Sequence, residues 1–126
     1  MKKLFKNLFQ KEACTTTFRI GVPKNLTATD NDNDGFAAFN LYLNNDAVLQ
    51  GLDITQYTVN YFETEAMAKA NIGPFEDAWT YYNMKPYTEI IYVRVSENNN
   101  TSAYAIDSFT ISTIVEKKEN KYELIF

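Results

Sequence analysis

Three carboxylates at alternate positions precede a glycine and form the densest concentration of chemistry in this sequence. They belong to Asp30, Asp32 and Asp34, which Gly35 follows. A calcium loop supplies oxygen ligands from its first, third and fifth positions and turns sharply at a glycine in its sixth. The spacing therefore predicts a calcium site. The predicted ligands are Asp30, Asp32, Asp34, the backbone carbonyl of Phe36 and the side chain of Asn40.

The loop lacks one part of a standard EF-hand. That motif needs a bidentate glutamate at position 12, and this chain has Leu41 there. A standard EF-hand is therefore excluded. A second interpretation is an ordinary surface turn, in which Asp and Asn side chains accept hydrogen bonds from nearby backbone amides. The sequence leaves both interpretations open.

No other part of the chain offers a catalytic grouping. The sequence contains no histidine, and Cys14 is its single cysteine. These two facts exclude serine-histidine catalysis, cysteine-histidine catalysis and an intrachain disulfide. Paired carboxylates can hydrolyse glycosides when they face each other across a cleft, but the three aspartates share one loop. We expect no catalytic residues and a protein that is not an enzyme.

Length and charge limit the function further. A chain of 126 residues fits one domain with a single core. The net charge is −4, but residues 1–19 carry five basic side chains and one acidic side chain, which leaves −8 for the remainder. Because phosphate contacts need a clustered positive field, we expect no binding of nucleic acid.

Residues 1–14 form a separate basic segment with helical periodicity. Its polar residues lie on the opposite face from its apolar ones. Such a helix packs on its own domain, packs on a neighbouring subunit or binds an anionic surface. The apolar residues, which we predict to be interaction residues, are Leu4, Phe5, Leu8 and Phe9.

The same segment does not resemble a secretory signal. Lys6, Asn7, Gln10 and Lys11 interrupt any apolar run, and a signal needs about 7 to 15 consecutive apolar residues. We therefore expect the chain to remain in the compartment where it is made.

Alternating apolar residues predict several strands between residues 15 and 115. We expect a first strand over 15–22 ended by Pro23, a second over 55–62, and a hairpin of strands joined by the polar run 96–102. In the last strand the apolar residues change from even to odd positions after Ile106, which predicts a bulge or a bend near Asp107 and Ser108.

Short helical turns and an aromatic connection complete this region. We expect one helical turn ended by Gly51 and a short helix over 65–70 capped by Thr64. The connection over 75–87 is rich in tryptophan and tyrosine. Those rings either fill the core beneath a loop or form an exposed platform for carbohydrate or protein.

The C-terminal segment, residues 116–126, begins with a solvated charged run and then alternates. Its apolar residues are Tyr122, Leu124 and Phe126, which we predict to be interaction residues. They would form a strand on the exposed edge of a partner or the last strand of this domain. Taken together, the segments predict an all-β protein, an antiparallel β-sandwich over 15–115 with short helical turns and an N-terminal amphipathic helix.

Three stretches carry a resemblance to a known family. They are Asp34-Gly-Phe-Ala-Ala-Phe-Asn-Leu41, Tyr57-Thr-Val-Asn-Tyr-Phe-Glu-Thr64 with the following Glu65-Ala-Met-Ala68, and Ile91-Tyr-Val-Arg-Val95. In this order they resemble repeat modules of large surface proteins from flavobacteria and related Bacteroidetes. The resemblance covers about residues 24 to 115 and implies an immunoglobulin-like sandwich that serves as a spacer or adhesion module.

The chain departs from that family at two positions. Members carry a cysteine just before the Asp loop and another before the tyrosine that opens the last strand, where this chain has Thr29 and Ala103. The resemblance implies a disulfide between those cysteines, and its two halves are absent together. Paired loss fits a chain that folds in a reducing cytoplasm.

These observations favour a structural protein of a bacteriophage virion, folded in the cytoplasm of a Bacteroidetes host and located in the capsid decoration, spike or tail. We expect its partners to be other virion proteins, bound through the N-terminal helix and the C-terminal tail in an oligomeric assembly, with a host-surface glycan or protein as a further partner. The alternative is an adhesion or spacer module on a bacterial cell surface. Apart from calcium, we expect no cofactor.

Overall fold

The computed structural model describes residues 18–116. The predicted N-terminal helix and the predicted C-terminal strand lie outside this range, and so do all seven interaction residues predicted on them. The strands are β1 Leu26–Thr29, β2 Ala38–Phe39, β3 Tyr57–Phe62, β4 Tyr81–Tyr82, β5 Thr88–Glu97 and β6 Tyr104–Ile114. The helices are α1 Asn45–Val48 and α2 Glu65–Ala70, with 3₁₀ helices at Leu41–Asn44 and Ala78–Thr80.

Four strands form the main sheet in the order β1-β6-β5-β3. β5 pairs antiparallel with β3 and with β6, and the two residues of β2 and of β4 pair antiparallel in a separate ribbon. β1 pairs parallel with β6. The predicted all-β class is therefore right, whereas the expectation of purely antiparallel pairing is wrong at β1.

The inner face of the sheet carries the core. Odd-numbered residues of β5, such as Ile91, Val93 and Val95, are fully buried there, because strand side chains alternate between faces. Tyr61 of β3 and Phe109 of β6 meet edge to face with ring centroids 6.0 Å apart. The β2–β4 ribbon, α1 and the 3₁₀ helices cover this face. They contribute Phe39, Leu41, Val48, Ala78 and Tyr81 to the core.

The outer face of the sheet is covered by α2. Thr64 begins this helix by accepting a hydrogen bond from the Met67 amide at 3.1 Å, and Asn71 ends it in a left-handed conformation. Arg94 of β5 lies buried beneath the helix and donates to the carbonyls of Ala68 and Thr101. Burial lowers the pKa of its guanidinium, which also lies 3.8 Å from the centroid of the Tyr104 ring. A basic side chain therefore fastens α2 to the sheet.

The predicted first strand is wrong in its described part. Residues 18–22 form no strand, and the Gly21 amide donates to the Val48 carbonyl at 3.0 Å instead of to a neighbouring strand. A Cβ atom at position 21 would lie 1.9 Å from the Ala47 carbonyl oxygen. The apolar alternation that suggested a strand reflects Phe18 and Ile20, which both pack against the core. Residues 15–17 lie outside the described range.

The predicted bulge is also wrong. β6 keeps one register against β5 from Tyr104, opposite Ser96, to Ser112, opposite Thr88. The apolar residues change from even to odd positions because Tyr104 and Ile106 lie on the outer face, next to α2 and Arg94. By contrast, Phe109 lies on the inner face.

The remaining predicted elements are confirmed with shifted ends. The helix at 65–70, the strand within 55–62 and the hairpin are present, and β5 extends to Glu97. The helical turn before Gly51 begins earlier than expected, at Asn45. No described helix is long and apolar enough to span a membrane.

Candidate functional site

The Asp loop, residues 30–35, connects β1 to β2 and gathers three carboxylates. One oxygen from each of Asp30, Asp32 and Asp34 lies within 4.8 Å of the others. Asp30 is buried, and its carboxylate accepts hydrogen bonds from the amides of Gly35 at 2.7 Å and Asp34 at 3.3 Å. The loop therefore closes around the carboxylate of its own first residue.

The two exposed aspartates also accept hydrogen bonds from the loop backbone. Asp32 Oδ1 accepts from the Asp34 amide at 3.3 Å, and Asp34 Oδ1 accepts from the Phe36 amide at 3.0 Å. Asn33 turns the chain with a φ of 54°. This arrangement is the Asx turn predicted as the second interpretation of the motif.

The loop moves the pKa values of two aspartates in opposite directions. Burial raises the pKa of Asp30, but the amides of Gly35 and Asp34, together with its contact to Asp32, outweigh burial and hold that pKa below its usual value. The contact with Asp30, and then burial, raise the pKa of Asp32. The site is thus suited to a proton or a cation between two carboxylates, since either one offsets their repulsion.

The proposed cation ligands are only partly brought together. The three carboxylates converge, and the Phe36 amide, rather than its carbonyl, contributes a described hydrogen bond to the loop. Asn40 lies beyond β2, where its Oδ1 accepts from the Tyr42 amide at 3.1 Å and begins the first 3₁₀ helix. Calcium binding therefore stays a prediction whose ligand set is the three aspartates.

A second turn, residues 83–87, braces the Asp loop. The buried side chain of Asn83 donates to the Gly35 carbonyl at 2.7 Å and accepts from the Ala37 amide at 2.9 Å. The Tyr87 amide donates to the same Gly35 carbonyl at 2.8 Å, and the Tyr87 hydroxyl donates to the Asn33 carbonyl at 3.1 Å. No local sequence pattern predicts this brace, because Asn83 lies nearly fifty residues from Gly35 and Ala37.

Glu89 holds the bracing turn from beneath. This buried carboxylate accepts from the Tyr81 hydroxyl at 2.8 Å and from the amides of Met84 at 2.8 Å and Lys85 at 3.3 Å. Burial, followed by the bond to Glu89, raises the pKa of Tyr81. An open groove of about 430 Å³ beside Glu89 also contains Glu63 and Glu65. Because Glu89 is held by three donors, its role is to anchor the turn.

The rings of the connection 75–87 divide between the core and the surface. Phe75 and Tyr81 stack in the core with centroids 4.4 Å apart. Trp79 and Tyr82 are 63% and 64% exposed. The core-filling interpretation is therefore confirmed for Phe75 and Tyr81, whereas binding of carbohydrate or protein by the exposed Trp79 and Tyr82 stays a prediction.

Trp79 belongs to a larger exposed apolar surface on the layer that covers the sheet. Its ring centroid lies 6.3 Å from that of Tyr42, which begins the pair Tyr42-Leu43 on the first 3₁₀ helix. Leu43 and Val22 are both exposed and line one open groove of about 500 Å³. We call Val22, Tyr42, Leu43 and Trp79 the apolar surface.

Acidic side chains flank the apolar surface. Asp46 lines the groove of Val22 and Leu43, together with the basic residue Lys24. Glu76 and Asp77 are exposed just before the 3₁₀ helix that carries Trp79, and Asp77 Oδ1 caps that helix. The exposed apolar side chains therefore lie near charged residues, of which three are acidic and one is basic.

The two positions of the family cysteines lie at opposite ends of the sheet. Thr29 pairs with Ile114 at the end of β6, whereas Ala103 immediately precedes the start of that strand. Eleven residues of extended strand span about 36 Å, and disulfide-bonded Cα atoms lie within about 7 Å. The expected disulfide between these two positions of one domain is therefore wrong.

Comparison with known proteins identifies one family. A model of the family described as FIDD, the Flavobacterium inter-domain disulphide bond domain, matches residues 25–117. No curated protein matches the chain. No solved structure matches it either. Since the family model spans most of the 126 residues, the chain belongs to the Flavobacterium inter-domain disulphide bond domain family.

Proposed function

We propose that this protein is a non-catalytic structural module that is held to its neighbours by non-covalent contacts. One observation carries the proposal. The family is described by a disulphide between domains, yet the matched residues 25–117 contain no cysteine. Any attachment made by this region must therefore rest on surface contacts, and the apolar surface is the described region best suited to them.

The exposure of the apolar surface supports this role. Trp79, Leu43 and Val22 are 63%, 63% and 79% exposed. Contiguous apolar patches with a polar rim are typical of sites where proteins bind one another, and tryptophan and tyrosine are enriched among the residues that dominate binding energy. A catalytic role has no comparable support, since the buried carboxylates Asp30 and Glu89 both hold backbone amides.

A virion is the assembly that best fits a member of this family whose matched region, residues 25–117, contains no cysteine. Phage structural proteins fold in the host cytoplasm, where thiols stay reduced, so a module that assembles there gains nothing from disulfides. In this proposal the protein decorates the capsid, spike or tail of a phage with a Bacteroidetes host. The terminal segments would join other virion proteins, and the domain would face host-surface glycan or protein.

The finer fold assignment is part of the same proposal. An immunoglobulin-like sandwich has two facing layers of strands around one core. The main sheet would be one layer, and the β2–β4 ribbon with its flanking helices would be a reduced second layer. An experimental structure in which that layer has no strand beyond the ribbon, and no equivalent of the immunoglobulin strand order, would contradict the assignment.

The second candidate function is a spacer or adhesion module on a bacterial cell surface. The family supports it, because its description refers to a disulphide bond between domains. A member without cysteines in its matched region would there depend on the same non-covalent surface.

Fractionation of the native source separates the two candidates. Phage particles and washed cells from infected and uninfected cultures are analysed by quantitative mass spectrometry. A virion protein is enriched in purified particles and absent from uninfected cells. Enrichment in the surface fraction of uninfected cells contradicts the virion proposal and supports the adhesion module.

The attachment surface is tested in the same fractionation. Trp79→Ser and Leu43→Ser should reduce recovery of the protein with its assembly. Ile72→Ser is the matched control, since Ile72 is also exposed but lies beyond α2. Equal recovery of all three variants would contradict a role for the apolar surface.

A further inference from the structure

The apolar surface contains the only tryptophan of the chain and is uncovered by any described residue. Trp79 keeps 63% of its surface exposed even though Tyr42 lies beside it. Exposed apolar area of this kind costs free energy in water. The same chain holds apolar residues that could cover it, Leu4, Phe5, Leu8 and Phe9, which precede the described residues.

We propose that residues 1–10 of this chain bind the apolar surface of their own domain in the free protein. The segment and the surface have matching chemistry. The segment offers apolar side chains on one face of its predicted helix, namely Leu4, Phe5, Leu8 and Phe9. An apolar helix face laid into an apolar groove is a common mode of peptide recognition.

Charge complementarity distinguishes this occupant from others. Residues 1–11 carry four lysines and no acidic side chain, whereas residues 18–116 carry thirteen acidic and five basic side chains, a net charge of −8. Three of the acidic side chains, Asp46, Glu76 and Asp77, flank the apolar surface and are exposed. A basic amphipathic segment is attracted to such a rim, and Lys24 is the one basic residue in the groove lining.

The segment is tethered within reach of the surface. Val22 lines the groove and lies only four residues after Phe18, the first described residue. Eight residues lie between Phe9 and Phe18, so the nine Cα-to-Cα steps can span about 30 Å when extended. A tether of this length gives an effective local concentration of about a millimolar, so weak contacts suffice for binding.

The consequence concerns assembly. A partner that uses the apolar surface must first displace the segment, which then becomes free to bind elsewhere. The inference applies to the isolated protein and holds whether the partner belongs to a virion or to a cell surface.

Trp79 makes the proposal directly testable. The full-length protein is compared with the double variant Phe5→Glu/Phe9→Glu by tryptophan fluorescence and acrylamide quenching. Both substitutions precede the family region at 25–117, so the domain should stay folded, which circular dichroism checks. Because covering the ring would remove at least half of its exposed area, quenching should rise about twofold in the variant, with a red shift in emission.

Two further measurements define the contact. Adding a peptide of residues 1–14 to the double variant should restore the blue-shifted emission, and salt should weaken that effect because exposed charges are screened. Ile54→Glu is the matched control, since it adds a charge at another exposed apolar residue and should leave Trp79 unchanged.

Two outcomes would overturn the proposal. One is equal quenching of Trp79 in the full-length protein and the double variant. The other is protection of Trp79 that appears only at concentrations where the protein is a dimer by light scattering, because the segment would then cover a second copy. Neither measurement includes a partner, so the result is independent of the proposed function.

Discussion

The Asp loop and the apolar surface differ in how far their side chains are already engaged by other groups of the domain. The loop is the most conspicuous motif of the sequence, yet each of its three carboxylates accepts a backbone amide of the loop or of Phe36. The apolar surface contains no motif, and three of its four residues, Val22, Leu43 and Trp79, are mostly exposed. The region with the more conspicuous motif is therefore the one whose polar groups already have hydrogen-bond partners.

This difference indicates where a partner would bind. A loop whose polar groups are paired gains little from a further protein contact, because a new hydrogen bond would replace an existing one. Exposed apolar area gains free energy from any contact that removes it from water. We therefore expect mutations in the Asp loop to change stability and mutations in the apolar surface to change binding.

The largest effect should come from Gly35→Ala. Gly35 has a φ of 90°, and a Cβ atom there would lie 2.9 Å from the Pro86 Cβ and 3.0 Å from the Tyr87 ring. The strain and the clash together should lower the free energy of unfolding by about 3 kcal/mol, measured by urea denaturation. Gly51→Ala is the control, because Gly51 has a similar φ but no atom within 4 Å. It should cost only about 1 kcal/mol, and equal losses would show that Gly35 is not confined by the brace.

Asn83→Ala should have the next largest effect. Removing this buried side chain takes a hydrogen bond from the Lys85 carbonyl and from the Ala37 amide, and leaves the Gly35 carbonyl with the Tyr87 amide alone. We expect a loss of about 2 kcal/mol in the free energy of unfolding. Asn31→Ala, an exposed position of the Asp loop, should change it by less than about 0.5 kcal/mol. A neutral Asn83→Ala would remove the evidence that the loop depends on its brace.

Trp79→Ser should separate stability from binding. The ring is mostly exposed, so the loss of folding stability should stay below about 1 kcal/mol, measured by thermal denaturation. Recovery with the native assembly should fall sharply. A stability loss as large as that of Asn83→Ala would instead mean that Trp79 is a packing residue.

The smallest effects should come from the aspartates, and they should have opposite signs. The lowered pKa of Asp30 adds stability above the ordinary aspartate pKa, and this contribution disappears as the pH falls through the lowered value. The raised pKa of Asp32 adds stability only below the ordinary pKa and loses it as the pH rises. At neutral pH without calcium, Asp30→Asn should therefore lower the melting temperature and Asp32→Asn should raise it slightly.

Calcium reverses the expected effect of Asp32→Asn on the melting temperature. If the three carboxylates hold the ion, millimolar calcium raises the melting temperature of the unmodified protein, and Asp32→Asn abolishes that rise. A melting temperature that is the same with calcium and with chelator would leave the loop as a turn alone.

Local patterns predicted the elements whose causes are local. The hydroxyl of Thr64 caps α2 at the predicted position, and alternation correctly located β3 and β5. The first strand could not be rejected from the sequence, because Phe18 and Ile20 alternate as a strand does while Gly21 bonds to α1. Likewise, the sequence of β6 does not indicate that apolar residues are buried on both faces of the sheet. A change of the apolar residues from even to odd positions therefore reads as a bulge.

The candidate site also has one part that the local sequence predicts and one that it does not. The Asx turn follows from the residues at 30–35, but its brace depends on Asn83 and Glu89, which only the folded chain brings near. The apolar surface joins Val22, Tyr42, Leu43 and Trp79 from three separate stretches. No window of sequence contains it.

The parallel pairing of β1 with β6 gives this domain a mechanical property. A pull between a residue before β1 and one after β6 runs along both strands in opposite senses, so their ladder of hydrogen bonds is loaded in shear. All rungs then share the load at once, whereas peeling would break them one at a time. A module placed under tension between two neighbours would therefore resist extension through the short strand at its edge.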